Sequence, residues 1–303
     1  MTAPTTVLVI GGPTASGKSG LALSVAKLKN GAIINADSMQ VYNGLPLLTA
    51  QPSREDFAAA PHRLYARLAP DDLCSAARWR DMALAEIGKA AAEGFLPIVT
   101  GGTGFYINTL VKGISPIPDV PPEVREKAIL RQKELGNPGF HTELQKRDPA
   151  MGARLDPFNT QRLVRAFEVL EATGKSLAAW QDLPPVPPPA HLKFIVATLL
   201  PPRDRLYAQC DGRFTQMLKA GALEEVSAFK KTATPAMPLC KALGYPELAA
   251  HLDGKLSLEE AAGLSQQATR NYAKRQVTWF RHQIKADIVL EEASSQRVLA
   301  LIS

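Results

Sequence analysis

The chain has 303 residues, of which 46% are hydrophobic and 21% charged, and its net charge is +6. This composition is typical of a globular protein and excludes disordered and fibrous classes. The three scattered cysteines, Cys74, Cys210 and Cys240, argue against a disulfide framework and a cysteine-based zinc site. The N-terminal apolar run, residues 7–10, is too short for a signal peptide or a membrane span. We therefore expect a cytoplasmic protein with no membrane partner.

A phosphate-binding pattern follows the first predicted strand. Residues 12–19 read GPTASGKS and fit the pattern G-x-x-x-x-G-K-[S/T]. The next residues predict a helix with Leu21, Val25 and Leu28 on one face. In such a loop the backbone N–H groups and a lysine, here Lys18, bind phosphate, and the hydroxyl of Ser19 is placed to ligate Mg²⁺. The pattern leaves open whether the phosphate belongs to ATP, to GTP or to a compound that is not a nucleotide.

Further short apolar runs at residues 32–34, 96–100 and 194–200 alternate with helical stretches, which predicts a parallel α/β sheet. Two proline-rich stretches, 115–122 and 183–189, enclose a charged helical segment. We predict a P-loop NTPase-like α/β core, residues 1–114 and 191–303, interrupted by a helical insertion domain, residues 115–190. The second proline-rich stretch could alternatively be a ligand for an SH3-type domain.

Asp37 follows the second predicted strand, so it should lie at the carboxyl edge of the sheet, where open α/β sheets bind ligands. Its carboxylate could ligate Mg²⁺, act as a general base, or cap a helix beginning at Ser38. The third strand ends in GGTG without an acidic residue, which argues against motor ATPases and switch GTPases. That turn either brings the backbone close to a bulky ligand or is only a tight turn.

Two cationic segments complete the candidate chemistry. The first is a helix that Asn159 should cap and Gly174 should end, with apolar residues 163, 167 and 170 on one face. Its other face, with Gln161, Arg162 and Arg165, is either simply solvated or contacts a phosphate backbone or a base. The second is residues 261–286, which contain five Lys or Arg, no acidic residue and interleaved aromatic side chains. These aromatic side chains either stack on bases or belong to the core.

Taken together, the motifs resemble those of the tRNA dimethylallyltransferases, also called tRNA isopentenylpyrophosphate transferases. The matching segments are GPTASGKS, NADSMQVYNG, TAQPS, PHRL, VTGGTGFY, DPFNTQRLVRAFEV, PPRDRLY, KALGYPE and KRQVTWFR. The resemblance implies transfer of a dimethylallyl group from dimethylallyl diphosphate to N6 of the adenosine 3′-adjacent to the anticodon. It also implies that the phosphate bound by the loop belongs to a prenyl diphosphate, with Mg²⁺ as cofactor. The expected partners are that diphosphate and a tRNA anticodon stem-loop, and we expect a monomer.

The resemblance also assigns residues. Asp37 matches the general base, Thr103 a threonine near the reacting centre, and Arg203 an arginine close to the diphosphate, so that with Lys18 they form the expected catalytic set. The diphosphate loop comprises Gly12, Pro13, Thr14, Ala15, Ser16, Gly17, Lys18 and Ser19. The residues matching tRNA-contacting positions are Asp37, Ser38, Met39, Gln40, Arg125, Gln161, Arg162, Leu163, Val164, Arg165, Lys241, Gly244, Tyr245, Lys274, Arg275, Gln276, Trp279 and Arg281.

The chain departs from the family pattern at residues 46–52, where members commonly read D-I-G-T-A-K-P. Leu48 replaces the glycine and Gln51 the lysine. These differences bear on tRNA recognition rather than on the reaction. Two rival functions remain at this point: a small-molecule or nucleoside kinase on the same fold, which would need ATP, and a non-catalytic RNA-binding protein.

Overall fold

The computed structural model describes residues 4–302, which form two compact units. The core unit comprises the described chain up to Val111 and again from Pro188, and the helical unit is Lys112–Pro187. These boundaries differ from the sequence-based ones, 114 and 190, by three residues each. Residues 1–3 and 303 of the expected core domain lie outside the described residues.

A single sheet forms the centre of the core unit. Its strands are β1 (Thr5–Gly11), β2 (Gly31–Asn35), β3 (His62–Arg63), β4 (Leu96–Gly101), β5 (Leu192–Leu199) and β6 (Ile288–Leu290). Every neighbouring pair is parallel, and the order across the sheet is β3-β2-β4-β1-β5-β6. This arrangement confirms the predicted parallel α/β fold and places β1, which leads into the phosphate loop, inside the sheet.

Helices connect and cover these strands. Those that begin in the core unit are α1 (Lys18–Lys29), α2 (Arg54–Ala59), α3 (Ala76–Ala92), α4 (Gly104–Lys112), α9 (Arg203–Lys219), α10 (Ala222–Lys230), α11 (Tyr245–Leu252), α12 (Leu258–Gln283) and α13 (Ser295–Leu299). In α1 the buried residues are Leu21, Ala22, Val25 and Ala26. The expectation that Leu28 shares this face is wrong, because its side chain is 62% exposed. The buried face of α1 ends at Ala26, and the last turn of the helix faces solvent.

The carboxyl ends of β2 and β4 lie unusually close together. The amide of Ala36 donates to the carbonyl of Thr100 at 2.8 Å, and the amide of Thr103 donates to the carbonyl of Ala36 at 3.1 Å. A Cβ atom on Gly101 would lie 2.2 Å from the backbone carbonyl of Ala36, so only glycine fits there. This contact fixes the position of Asp37 relative to the turn after β4.

The helical unit consists of α5 (Pro122–Arg147), α6 (Pro149–Arg154), α7 (Thr160–Thr173) and α8 (Leu177–Gln181). Phe140 and Phe167 pack in its core with ring centroids 4.8 Å apart. The carboxamide of Asn159 accepts from the amide of Arg162 at 3.2 Å, and Gly174 ends α7 in the left-handed region, as predicted for both. None of the helices within residues 4–302 combines the length and apolar character that a membrane crossing requires.

We predict that Gly101→Ala lowers the free energy of unfolding by at least about 1–3 kcal/mol, because the backbone of Ala36 cannot move away without shifting β2. Gly88→Ala is the matched control. Gly88 is exposed within α3 and has open space around its Cα, so alanine there should raise that free energy by about 0.5–1 kcal/mol. Urea denaturation of both variants measures the difference, and equal stability of Gly101→Ala and the parent chain would contradict the close contact.

Candidate active site

The phosphate loop joins β1 to α1 and has the backbone geometry of an anion site. Ala15 and Gly17 adopt positive φ angles of 62° and 92°, which turn the chain directly into the first residue of α1, Lys18. The N–H groups in the first turn of a helix have no intrahelical acceptor, and the helix dipole places partial positive charge there. The loop therefore offers unpaired N–H donors to a phosphate group.

The side chain of Lys18 is held inside the loop. Its Nζ donates to the carbonyl of Pro13 at 3.1 Å. Burial lowers the pKa of Lys18 to about 8, while the nearby carboxylate of Asp37 acts in the opposite direction. A desolvated ammonium group next to unpaired N–H donors favours binding of an anion, which would restore its full charge.

A second cation, Arg213 on α9, reaches the same loop. Its Nη2 donates to the hydroxyl of Thr14 at 2.6 Å, and burial lowers the pKa of the guanidinium group. Arg203, the arginine predicted from the sequence, is exposed at the start of α9, with its guanidinium 5.0 Å from the ring of Tyr207. The sequence contains no signal that separates the two, because α9 carries Arg203, Arg205 and Arg213.

Gln276 on α12 joins the loop to the turn after β4. Its Oε1 accepts from the amide of Thr14 at 2.8 Å, and its Nε2 donates to the carbonyl of Gly102 at 2.6 Å. The side chain is buried, with 6% exposure. Gln276, predicted as a tRNA contact, therefore has both ends of its carboxamide engaged within the core unit.

Asp37 lies just beyond β2 in a turn and does not begin a helix. Its Oδ1 accepts from the amide of Met39 at 2.9 Å, and its own amide donates to Oδ1 of Asn35 at 2.8 Å. The buried Asn35 also donates from Nδ2 to the carbonyls of Asp37 and Leu64. Oδ2 of Asp37 has no hydrogen-bond partner within residues 4–302 and faces Gly102. The carboxylate is thus oriented by one oxygen, and the other is available to a ligand.

Hydroxyl groups line the approach to Asp37. Oγ1 of Thr103 accepts from the amide of Ser38 at 2.9 Å and lies 3.3 Å from the Ser38 hydroxyl. Burial of the phenol of Tyr272, on α12, together with the charge of Asp37, raises the pKa of that phenol. From the sequence, Tyr272 was predicted only as one of the interleaved aromatic residues of 261–286, because nothing in that pattern indicates that it lies near Asp37.

The predicted tRNA residues of the last helices separate into two groups. Lys274, Arg275 and Trp279 line an open cavity of about 570 Å³ on one face of α12, together with Asn271, Thr278, His282 and Gln283. Arg281 and Lys241 are exposed. By contrast, Gly244 and Tyr245 are buried, and the ring of Tyr245 packs edge-on against Phe229.

In the helical unit, Gln161 and Arg162 are exposed on α7, whereas the side chains of Leu163 and Val164 are buried in the core of that unit. Arg125 on α5 and Arg165 on α7 both bind the carboxylate of Glu168. Of the tRNA contacts predicted on α7, Gln161, Arg162 and Arg165 therefore reach the surface, whereas Leu163 and Val164 belong to the core.

The segment that departs from the family pattern is well packed. Leu48 is buried in the core unit, and the amides of residues 47 and 48 donate to the carboxylate of Glu225. Gln51 donates to the carbonyl of Tyr42 at 2.9 Å, and Gln40 donates to the carbonyls of Thr49 and Ala50. Gln40 and Gln51 line a small cavity of about 110 Å³ that also contains Ser19. Of the two replaced positions, Gln51 thus lies beside Ser19 of the phosphate loop, whereas Leu48 lies in the core.

Comparison with known proteins gives a consistent assignment. The family model described as IPP transferase matches residues 40–283. The chain is 53% identical over 299 residues to a tRNA dimethylallyltransferase of Paramagnetospirillum magneticum, covering 98% of this chain and 95% of that protein. It is 54% identical over 287 residues to a protein of the same name from Rhodospirillum centenum, covering 94% and 91%.

Solved structures agree. The tRNA isopentenylpyrophosphate transferase of Bacillus halodurans is 30% identical, with a TM-score of 0.69 and coverage of 98% of this chain and 94% of that one. A eukaryotic dimethylallyltransferase acting on tRNA is 26% identical, with a TM-score of 0.84 and coverage of 98% and 78%. The matched region and the identity to these relatives show that this chain is a transferase and belongs to the IPP transferase family.

Proposed function

We propose that this chain transfers the dimethylallyl group of dimethylallyl diphosphate to N6 of the adenosine 3′-adjacent to the anticodon in tRNA. The names of the relatives support the reaction class and the tRNA substrate. The observation that carries the proposal is that the phosphate loop with Lys18 and the unpaired Oδ2 of Asp37 meet at one edge of the sheet, on either side of Gly102. The ammonium of Lys18 can stabilise the leaving diphosphate, and Oδ2 of Asp37 can accept a proton from the amine.

The phosphate loop stabilises the diphosphate as it leaves. As the C1–O bond of the donor breaks, the electron pair leaves with diphosphate and negative charge grows on its oxygens. Lys18 and the N–H groups of the loop stabilise that charge without reorganisation. The hydroxyl of Ser16 is buried with no hydrogen-bond partner among the described residues, so it can donate to a phosphate oxygen. Arg213 adds a second cation beside Thr14.

Mg²⁺ fits this loop through Ser19. Residues 4–302 contain no cluster of three or more His, Cys, Asp or Glu side chains able to hold a metal ion. Mg²⁺ commonly retains several waters and binds one or two protein oxygens together with substrate phosphates, so the Ser19 hydroxyl and the diphosphate oxygens are a sufficient donor set. When bound, the ion supplies neutralisation of charge on the leaving diphosphate.

Asp37 activates the nucleophile, which is the exocyclic amine of adenosine. The exocyclic amine of adenosine is a weak nucleophile until its proton is taken, so a base must lie within hydrogen-bond reach. As N6 forms its bond to C1, its proton passes to Oδ2 of Asp37, while Oδ1 remains bound to the amide of Met39. Thr103 sits beside this turn, where its hydroxyl can orient the amine.

The adenosine is stacked in an anticodon loop, so it must be extruded to reach Asp37. Single-stranded loops allow this at low cost, and cations bind the neighbouring phosphates. We assign this role to the face of α12 that carries Lys274, Arg275 and Trp279. The cation side chains take phosphates, and the indole offers a surface for stacking.

We predict that Asp37→Asn lowers kcat by roughly 10²–10⁴, because asparagine keeps the hydrogen bond to Met39 but cannot accept the amine proton. The KM for dimethylallyl diphosphate should change little. Asp71→Asn, which removes the same charge from an exposed position, is the control and should retain full activity. Steady-state assays of prenyl transfer to tRNA measure both, and an unchanged kcat in Asp37→Asn would remove this residue from the mechanism.

We predict that affinity for dimethylallyl diphosphate decreases as the pH rises through about 8. The ammonium of Lys18 is fully protonated below its pKa of about 8 and loses its charge above it, so the affinity gained from that charge is present at lower pH. Above this pKa the affinity should fall by up to about tenfold per pH unit relative to Lys18→Arg, whose side chain does not titrate in this range, and then level off where the remaining loop donors alone bind the diphosphate. Calorimetric titration across pH 6.5–9.5 measures both, and parallel pH profiles would show that Lys18 does not bind the diphosphate.

We predict that changing Lys274 and Arg275 together to alanine flattens the slope of log K for tRNA against log salt by about 1.4, because each cation holds one phosphate of a flexible strand. Lys27 and Lys29, which are exposed in the last turn of α1, provide a control with the same loss of charge. Binding titrations at several salt concentrations distinguish the two pairs. Equal slopes for both pairs would mean that the α12 face does not contact RNA.

A further inference from the structure

The helical unit contains a buried carboxylate bound by two arginines. Glu168, on α7, is only 1% exposed. Its Oε1 accepts from Nη1 of Arg165 at 2.7 Å, and Nη1 of Arg125, on α5, lies 3.1 and 3.3 Å from its two oxygens. Both arginine side chains remain about 40% exposed, at 42% for Arg125 and 40% for Arg165.

One arginine is enough to neutralise a carboxylate, and here two are present. Burying a charge is costly unless it is paired, which explains the first partner. With the second, the cluster has a net charge of +1 and presents it toward solvent. Each guanidinium has five N–H donors, and within residues 4–302 only Nη1 of each is engaged. The Nε and Nη2 donors of both arginines are therefore available to a ligand.

We propose that Glu168 is a positioning residue that holds Arg125 and Arg165 as a preformed phosphate-binding pair for the tRNA backbone. This proposal rests on the proposed function, since it assigns the pair to tRNA. An unrestrained arginine loses rotamer freedom when it binds, and a guanidinium already fixed by a carboxylate loses less. Arg162, on the exposed face of α7, has no side-chain partner within the described residues and lacks this advantage.

The rival explanation is that the arginines exist only to neutralise Glu168. The two explanations predict effects of opposite sign when the charge of Glu168 is removed. If charge alone matters, Glu168→Gln adds one net positive charge and should strengthen tRNA binding. If Glu168 fixes the guanidinium groups, the same change frees them and should weaken tRNA binding despite the added charge.

The test is the affinity of Glu168→Gln for tRNA across a range of salt concentrations. We expect the Kd to rise about 10- to 150-fold, the loss of roughly one charge-assisted hydrogen bond, and the salt slope to flatten by about 0.7. The KM for tRNA should rise in parallel, while kcat at saturating tRNA and the KM for dimethylallyl diphosphate stay unchanged. Glu171→Gln is the control, because Glu171 lies on the same helix as Glu168 but pairs with Arg147 of α5 at the surface. Its tRNA affinity should be unchanged or slightly higher, and tighter tRNA binding by Glu168→Gln would overturn the proposal.

A double variant separates failure of the positioning role from failure of this face to bind tRNA, whereas absence of prenyl transfer to tRNA by the parent chain would be failure of the proposed function itself. Arg125→Ala with Arg165→Ala should weaken tRNA binding, and adding Glu168→Gln to it should have no further effect if Glu168 acts through the arginines. An unchanged affinity in the double alanine variant would show that this face does not bind tRNA. A weakened double variant with an unaffected Glu168→Gln would refute the positioning role alone. If Glu168→Gln does not fold, Glu168→Asp keeps the charge but shortens its reach, and the same loss of tRNA affinity is expected.

Discussion

The carboxamide of Gln276 is the interaction on which the candidate site depends. It binds the phosphate loop through the amide of Thr14 and the turn after β4 through the carbonyl of Gly102. These two hydrogen bonds join segments that are separated in the sequence by 262 and 174 positions. Because the side chain is buried, loss of either partner would leave an unsatisfied polar group at a cost of about 1–3 kcal/mol. The loop and the turn are therefore held in one relative position, and Lys18 and Asp37 are held with them.

The electrostatics of the site follow from this fixed geometry. Lys18 and Arg213 lose hydration beside the loop, which lowers the pKa of both, and Asp37 is the carboxylate that opposes the shift in each case. Such a site has excess positive charge, which a diphosphate would neutralise. Strand β4, next to β1, ends without an acidic residue. In the glycine turn after it, a Cβ atom on Gly102 would lie 3.4 Å from the carbonyl oxygen of Gly12 in the loop and 3.6 Å from Oδ2 of Asp37. An ATPase commonly holds Mg²⁺ through an aspartate at the end of a strand near this loop.

The sequence predicted the elements whose signals are local. The loop pattern, the apolar strands β1, β2, β4 and β5, and the cap of α7 at Asn159 depend on residues close together in the chain, and the structure confirms them. Strands β3 and β6 have two and three residues, too few for a pattern. The contacts of Arg213 with Thr14 and of Gln276 with Gly102 depend on long-range packing, which no spacing in a single sequence reveals. Leu48 and Gln51 could be recognised as departures, but their packing beside Glu225 and Tyr42 required coordinates.

In the proposed function, the phosphate loop binds a prenyl diphosphate rather than a nucleotide. The most direct measurement incubates the protein with tRNA, Mg²⁺ and dimethylallyl diphosphate labelled in its alkyl group, with and without ATP. We expect label to enter tRNA at the same rate in both reactions, diphosphate to be released in an amount equal to the label transferred, and ATP not to be consumed. Label transfer that requires ATP, or ATP hydrolysis in proportion to product, would contradict it.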